Sequence, residues 1–377
     1  MTQSSLTGTR RKAVGIVAAA AVPHAPQFLS RPETEDLDQV ERVRACLAGI
    51  GEAFRQKEPD CIVVISNDHG DHFITHSVPA FCVHVASSAD GMHKHRGDWA
   101  LDGALGYALV PEMSSLGFDL AFTLGAQLQT AFTIPYEFMG FGRQTPMTAL
   151  FVNSYVPPQP SATRCFAFGQ ALERALCKLG RRAILVASGG LSHYPGTRHY
   201  PHPDVKTDER IFSRLCEGDL QHLVGFNDRE MDRTGNVELR STQILAGAIG
   251  DRKPFAAQFE PSWHHIYATL AWDLEVGNPL VDDYELIYPA LPNARVPLVE
   301  AIFRLRTNPE DARRFIAEPA AWCDAFRLAP DEREALVAFD VERLRDKFRI
   351  HALLTAGAAT QVELQRQKAK AQGARAK

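Results

Sequence analysis

No Cys-x-x-Cys pair occurs among the seven cysteines, Cys46, Cys61, Cys82, Cys165, Cys177, Cys216 and Cys323, whose odd number and wide scatter fit neither a disulfide framework nor a zinc cluster. Reduced thiols in a cytoplasm are the natural reading. An excess of charge of one sign is also missing: 41 Lys plus Arg face 45 Asp plus Glu, a net of −4, so no global field draws the chain to nucleic acid or to an anionic membrane. No apolar run reaches the roughly 18 residues that a membrane span needs. There is no repeat of fixed period, which removes solenoids and propellers. A G-x-G-x-x-G after a strand, a G-x-x-x-x-G-K-[ST] loop and a G-x-S-x-G elbow are all absent. Ser188-Gly189-Gly190 sets a serine beside glycines without the elbow's flanks, so a serine hydrolase is a poor second. Small molecules or other copies of the chain remain as partners.

What is present is an ordinary globular composition, 377 residues with 45% hydrophobic and 23% charged side chains, long enough for two or three domains. Arg10, Arg11 and Lys12 precede the apolar run 13–22 in the order of an export signal. That run is short and closes on Pro23-His24-Ala25-Pro26, as a buried first strand would. Runs 13–22, 61–66, 80–86 and 183–188 are rich in Val, Ile and Ala and read as strands covered on both faces. Between them, 36–54 and 165–179 carry apolar residues at helical spacing. Strand and helix taking turns predicts an α/β fold, a central sheet packed between helices.

Beyond about residue 280 the pattern changes to short helices. Leu298, Ile302 and Leu305 form one stripe, Asn308-Pro309-Glu310-Asp311 reads as an N-cap with proline in the first turn, and Pro330 opens a helix bearing Leu336, Phe339 and Leu344. The predicted organisation is a catalytic domain over 1–280, a linker over 281–297, an all-helical domain over 298–356 and a disordered basic tail over 357–377.

Three of the apolar runs end in a polar turn that holds a histidine: Val22-Pro23-His24, Asn67-Asp68-His69 and Gly189-Gly190-Leu191-Ser192-His193. In open α/β sheets, ligands bind beyond the carboxyl ends of strands, so the three can converge on one crevice. Any one alone would pass as a turn histidine. A histidine cluster suggests a divalent metal, and the best acidic partner is Glu238, ahead of the apolar helical stretch 239–249. Its plainer role is a first-turn glutamate favoured by the helix dipole. His72, His76, His93 and His95 read as surface residues, His199 and His202 as loop, and His264 and His265 as pocket-lining or core.

At these residues the sequence resembles the class III extradiol ring-cleavage dioxygenases of the protocatechuate 4,5-dioxygenase type, through Pro23-His24-Ala25-Pro26, Asn67-Asp68-His69, Gly189-Gly190-Leu191-Ser192-His193 and Val237-Glu238 in order. The segment 298–354 also resembles the small helical alpha subunit of protocatechuate 4,5-dioxygenase, an arrangement similar to the fused gallate dioxygenases. The resemblance implies an Fe(II) held by His24, His69 and Glu238, with His193 as acid/base residue, acting on a small aromatic substrate and O2 in aromatic catabolism. It implies a helical cap domain and a homodimer, and Gln129, Thr130 and His265 are candidate substrate contacts. Many relatives carry Asp-His-Gly where this chain has Gln129-Thr130-Ala131 ahead of Thr133-Ile134-Pro135. Threonine cannot titrate near neutrality, so aminophenols and hydroxypyridones stand beside catechols as candidate substrates. Lys94, His95 and Arg96 offer cations for a ring carboxylate or form a solvated loop. The competing functions are a zinc-dependent hydrolase on the same scaffold and a non-catalytic small-molecule binding homologue.

Overall fold

The computed structural model describes residues 14–69, 73, 77–275 and 295–375. The chain divides into two compact units, Met1–Asp282 and Asp283–Lys377. His72, His76 and the linker residues 281–294 lie outside the described residues.

The first unit is built on an eight-stranded sheet. Its strands are β1 (Gly15–Val22), β2 (Cys61–Ser66), β3 (Phe81–His84), β6 (Ala121–Thr123), β7 (Thr148–Val152), β8 (Arg182–Ser188), β9 (Ala256–Pro261) and β10 (Ile266–Asp273), while β4 (Ser88–Gly91) and β5 (Gly97–Ala100) form a separate hairpin. The order is β6-β3-β7-β2-β8-β1-β10-β9. The central four run parallel, and β10 and β9 close one side antiparallel. Every residue of β1, β2 and β8 is buried, which is why these runs carry no polar alternation. Their side chains nevertheless sort by parity. Val63, Ile65, Leu185 and Ala187 enter one core, and Ile62, Val64, Ile184 and Val186 enter the other.

Helices α1 (Gln27–Ser30), α2 (Leu37–Arg55) and α4 (Thr130–Phe138) contribute to one core, whereas α3 (Gly103–Ser115), α5 (Ala162–Lys178), α6 (Val205–Glu217), α7 (Asp228–Thr234) and α8 (Leu239–Ile249) contribute to the other. Helices α5 and α8 approach backbone to backbone. A Cβ on Gly169 would stand 1.9 Å from the Ile244 carbonyl oxygen, and one on Gly247 would stand 1.9 Å from that of Phe166. Only glycine permits this approach, which fixes how closely α8 packs on α5.

In the second unit Leu298, Ile302 and Leu305 are buried as their stripe predicts, and Asn308 caps the helix Pro309–Ala317 through the backbone N–H groups of Glu310 and Asp311. The helix opened by Pro330 stops at Phe339, which adopts φ +52°, so Leu344 belongs to the next helix, Val341–Asp346. The basic tail departs from expectation. Residues Ala352–Arg375 form one helix, because Leu354, Ala358, Val362 and Gln365 recur on one buried face and anchor a run of good helix formers. Among the described residues no helix is long and apolar enough to cross a membrane.

Candidate metal centre

Neighbouring strands lie about 4.8 Å apart, so the turns leaving β7, β2, β8 and β1, adjacent in that order, bring their side chains within mutual reach. Those turns carry Tyr155, His69, His193 and His24. Glu238 arrives from the other side, at the N-cap position of α8. One ligand atom from each of His24, His69 and Glu238 lies within 4.8 Å of the others. Nε2 of His69 is 3.0 Å, and Nε2 of His24 3.5 Å, from Glu238 Oε1. His193 places its Nε2 3.3 Å from the same oxygen. Tyr155 donates its hydroxyl to it at 2.8 Å and lies 3.3 Å from His193 Nε2.

Hydrogen bonds behind the cluster settle which nitrogen of each ring faces inward. Ser188 Oγ donates its single proton to the Ala131 carbonyl at 2.5 Å, so it accepts from His24 Nδ1 at 3.0 Å. His24 Nε2 is then a bare lone pair, buried and without a hydrogen-bond partner. Burial lowers the His24 pKa below its ordinary value, against the opposing pull of Glu238. His193 donates Nδ1–H to the Leu191 carbonyl at 2.9 Å, leaving Nε2 to face the cluster. Glu238 Oε2 accepts the Gly190 N–H at 2.9 Å, which turns Oε1 toward the histidines. Burial pushes the Glu238 carboxyl up, yet His24 and His193 outweigh it and hold the group well below the usual carboxylate range.

A charged carboxylate buried among imidazole lone pairs lacks a compensating cation, and a divalent ion satisfies this donor set. The residues present therefore fit a bound metal. The oriented donor groups behind them are the kind that tune ligand geometry. Ser188→Ala removes the bond that orients His24 and is expected to weaken metal affinity about 10- to 100-fold without unfolding the chain, as titration with Fe(II) or a spectroscopic surrogate would report. Unchanged affinity would refute that role.

Asp208 on α6 clamps the two turns. Its carboxylate accepts the Ser192 N–H at 3.0 Å, the Ser192 hydroxyl at 2.5 Å and the Asn236 amide at 2.9 Å, next to His193 and two residues before Glu238. Burial pushes its carboxyl up to about 7. An unfolded Asp titrates near 3.9, so between about pH 4 and 7 the folded chain holds a proton that the unfolded chain releases. This group's contribution to stability therefore falls as pH rises through that window. Asp208→Asn is expected to flatten the pH dependence, measured as the change in denaturation midpoint between pH 5 and pH 8. An unaltered slope would contradict the assignment.

The cluster opens into a cavity of about 410 Å3, within the usual size of small-molecule sites. Gln129, Thr130 and His265 line it with His24, His69 and His193, so the residues singled out in the sequence are brought together. His265 stacks on His193 with ring centroids 4.2 Å apart and planes 2° from parallel. Burial, followed by the charge of His193, holds its pKa well below the ordinary value. A Cβ on Gly190 would fall 1.8 Å from His265 Nε2, so that position also demands glycine. One surface expectation is corrected: His95 is buried, hydrogen-bonded to Thr133 Oγ1 at 2.7 Å, with Nε2 2.9 Å from Glu137 Oε2. His93 is exposed, as expected, and lines the cavity. His264 is both core and lining: it is buried, with Nε2 3.1 Å from Glu35.

Tyr155, Ser188's orienting role and Asp208 escape the sequence reading. Tyr155 had a signal, since Asn153-Ser154-Tyr155 leaves a strand as the histidine turns do, but run 148–152 is not among the strands read from the sequence. Asp208 had none, being one acidic residue on an amphipathic helix.

Residues 18–276 match the family described as the catalytic LigB subunit of aromatic ring-opening dioxygenase. The chain belongs to this family. Among similar proteins, a 2,3-dihydroxyphenylpropionate/2,3-dihydroxicinnamic acid 1,2-dioxygenase of Klebsiella pneumoniae subsp. pneumoniae is 29% identical over 215 residues, 56% of this chain and 66% of that protein. Proteins of the same name from Escherichia coli and Comamonas testosteroni are 30% and 28% identical, over 63% and 70% of this chain and 72% and 78% of theirs. The match to the Klebsiella protein thus spans just under two thirds of its length.

Proposed function

We propose that this LigB-family chain is a non-haem Fe(II)-dependent extradiol dioxygenase that inserts both atoms of O2 into a dihydroxylated aromatic compound and opens its ring. The observation that carries the reading is the set His24, His69 and Glu238 around one point, with Nε2 of His193 3.3 Å from the same carboxylate oxygen. When bound, ferrous iron supplies open coordination positions at which a diol and dioxygen are activated together.

The rest falls to the chain. His24, His69 and Glu238 hold the ion. His193, its Nδ1 committed to Leu191, takes a proton from a substrate hydroxyl on Nε2 and later returns it to the opening ring. Burial disfavours its charged form, but the Glu238 charge outweighs this and raises its pKa, so the imidazolium is stabilised once formed. Burial, then Glu238, raises the Tyr155 hydroxyl well above its ordinary value, so it stays a neutral donor. Thr130 and Gln129 offer hydrogen bonds but no titratable group at the wall. The dihydroxyphenylpropionate dioxygenases among the relatives support a catechol as substrate. On the resemblance of segment 298–354, we read the second unit as alpha-subunit-like.

The test is oxygen uptake together with a new ring-opened chromophore, on anaerobically purified, Fe(II)-loaded protein given catechols, aminophenols and hydroxypyridones. Stoichiometric consumption of O2 with one of these rings is expected. Silence across the panel overturns the reading, and hydrolysis supported by zinc without oxygen uptake would favour a hydrolase.

A further inference from the structure

We propose that Lys94 is the specificity-determining residue of this cavity, binding an anionic substituent, a carboxylate in the first instance, on the ring whose diol meets the metal centre. The proposal deepens the ring-cleavage reading and rests on it for the position of the diol.

Of the three cations at this turn, the structure retains one. His95 faces inward onto Thr133 and Glu137, and Arg96 does not line the cavity. Lys94 does line it, and it is the one Lys or Arg among the described lining residues, which include no Asp or Glu. It has no hydrogen bond or ion pair to any described residue. An unpartnered cation on the wall of a cavity otherwise lined by neutral groups and imidazoles is complementary to an anion.

The turn is built and not a loose loop. His95 N–H returns to the Met92 carbonyl at 2.9 Å, Met92 N–H reaches the Leu128 carbonyl at 3.1 Å, and Trp99 Nε1 donates to the His95 carbonyl at 3.0 Å. Arg143 donates to the Arg96 carbonyl at 2.9 Å. Through Thr133 and Glu137 the turn is tied to α4, the helix whose first residue is Thr130. His93 adopts φ +52°, a left-handed conformation that non-glycine residues rarely hold unless the surroundings impose it. The backbone that presents Lys94 is thereby fixed before a ligand arrives, which reduces the ordering cost of binding.

The test uses the full chain without metal, so that it does not depend on turnover. Calorimetric titration with 3-phenylpropionate and with 3-phenylpropanamide compares a carboxylate with its neutral analogue. In the wild-type protein the acid is expected to bind about tenfold more tightly, an advantage that shrinks as salt is added. In Lys94→Met the ratio is expected to collapse to about twofold or less, whereas Lys94→Arg retains most of it. A wild-type protein indifferent to the charge, or a Lys94→Met ratio equal to the wild-type ratio, overturns the proposal. Lys94-dependent binding of these probes, with no ring opening of any catechol offered to the Fe(II)-loaded protein, would overturn only the ring-cleavage reading. Ring opening of a catechol, with a charge preference between the two probes untouched by Lys94→Met, would overturn only the assignment of Lys94.

Discussion

His24→Ala, His69→Ala and Glu238→Ala are each expected to strip the protein of stoichiometric iron and, with it, of oxygen uptake on every ring-cleavage substrate. Among the described residues the three side chains form the one His/Glu group that could hold a metal ion, so removing one leaves only two protein donors. Glu238 should give the largest effect. Its Oε1 lies within 3.5 Å of His24, His69, His193 and Tyr155, and its loss also frees the Gly190 N–H that Oε2 now accepts. Without the carboxylate, any bound dication would sit among neutral imidazoles in a buried site. Metal content after anaerobic loading and desalting is the measurement. Full iron occupancy with full oxygen uptake in any of the three variants would remove that residue from the ligand set. Glu238→Gln is the sharper companion, because it keeps the volume and the bond to Gly190 while deleting the charge. It should lose metal almost as completely.

His193→Ala is expected to behave differently: near-normal iron and substrate binding, with kcat reduced about 10²- to 10⁴-fold, the range for removing a general acid or base. The division follows from the hydrogen bonds. The Nδ1–H of His193 is spent on Leu191, and its Nε2 faces Glu238 Oε1 and the Tyr155 hydroxyl at 3.3 Å each. The ring is clamped against His265 as well, so its orientation is set before substrate enters. Loss of metal from His193→Ala would mean that the residue serves as a ligand. Undiminished turnover would remove it from proton transfer altogether.

The two halves of this picture differ in how far they could be read from the amino-acid order. Strand runs 61–66 and 183–188 and the helical stretch 239–249 nearly coincide with β2, β8 and α8, because unbroken Val/Ile/Ala runs and helical spacing are local signals of burial. The histidine turns were legible for the same reason: polar residues that end a buried strand stand out against it. The helix over Ala352–Arg375 was not legible, since a sparse line of Leu354, Ala358, Val362 and Gln365 acquires meaning only when a partner surface exists to bury it.

Sequence alone therefore determined the fold class, the family resemblance and the list of chemically capable residues, all of which depend on residue type and local periodicity. Tertiary structure decided which of them meet. Strand order put the turns of β7, β2, β8 and β1 side by side, two glycine contacts let α8, which carries Glu238 at its N-cap, pack closely on α5, and Ser188 and Leu191 chose the ring nitrogens that face inward. These are long-range contacts between segments up to 169 residues apart, and no local pattern encodes a distance of 3 Å between side chains so remote in the chain.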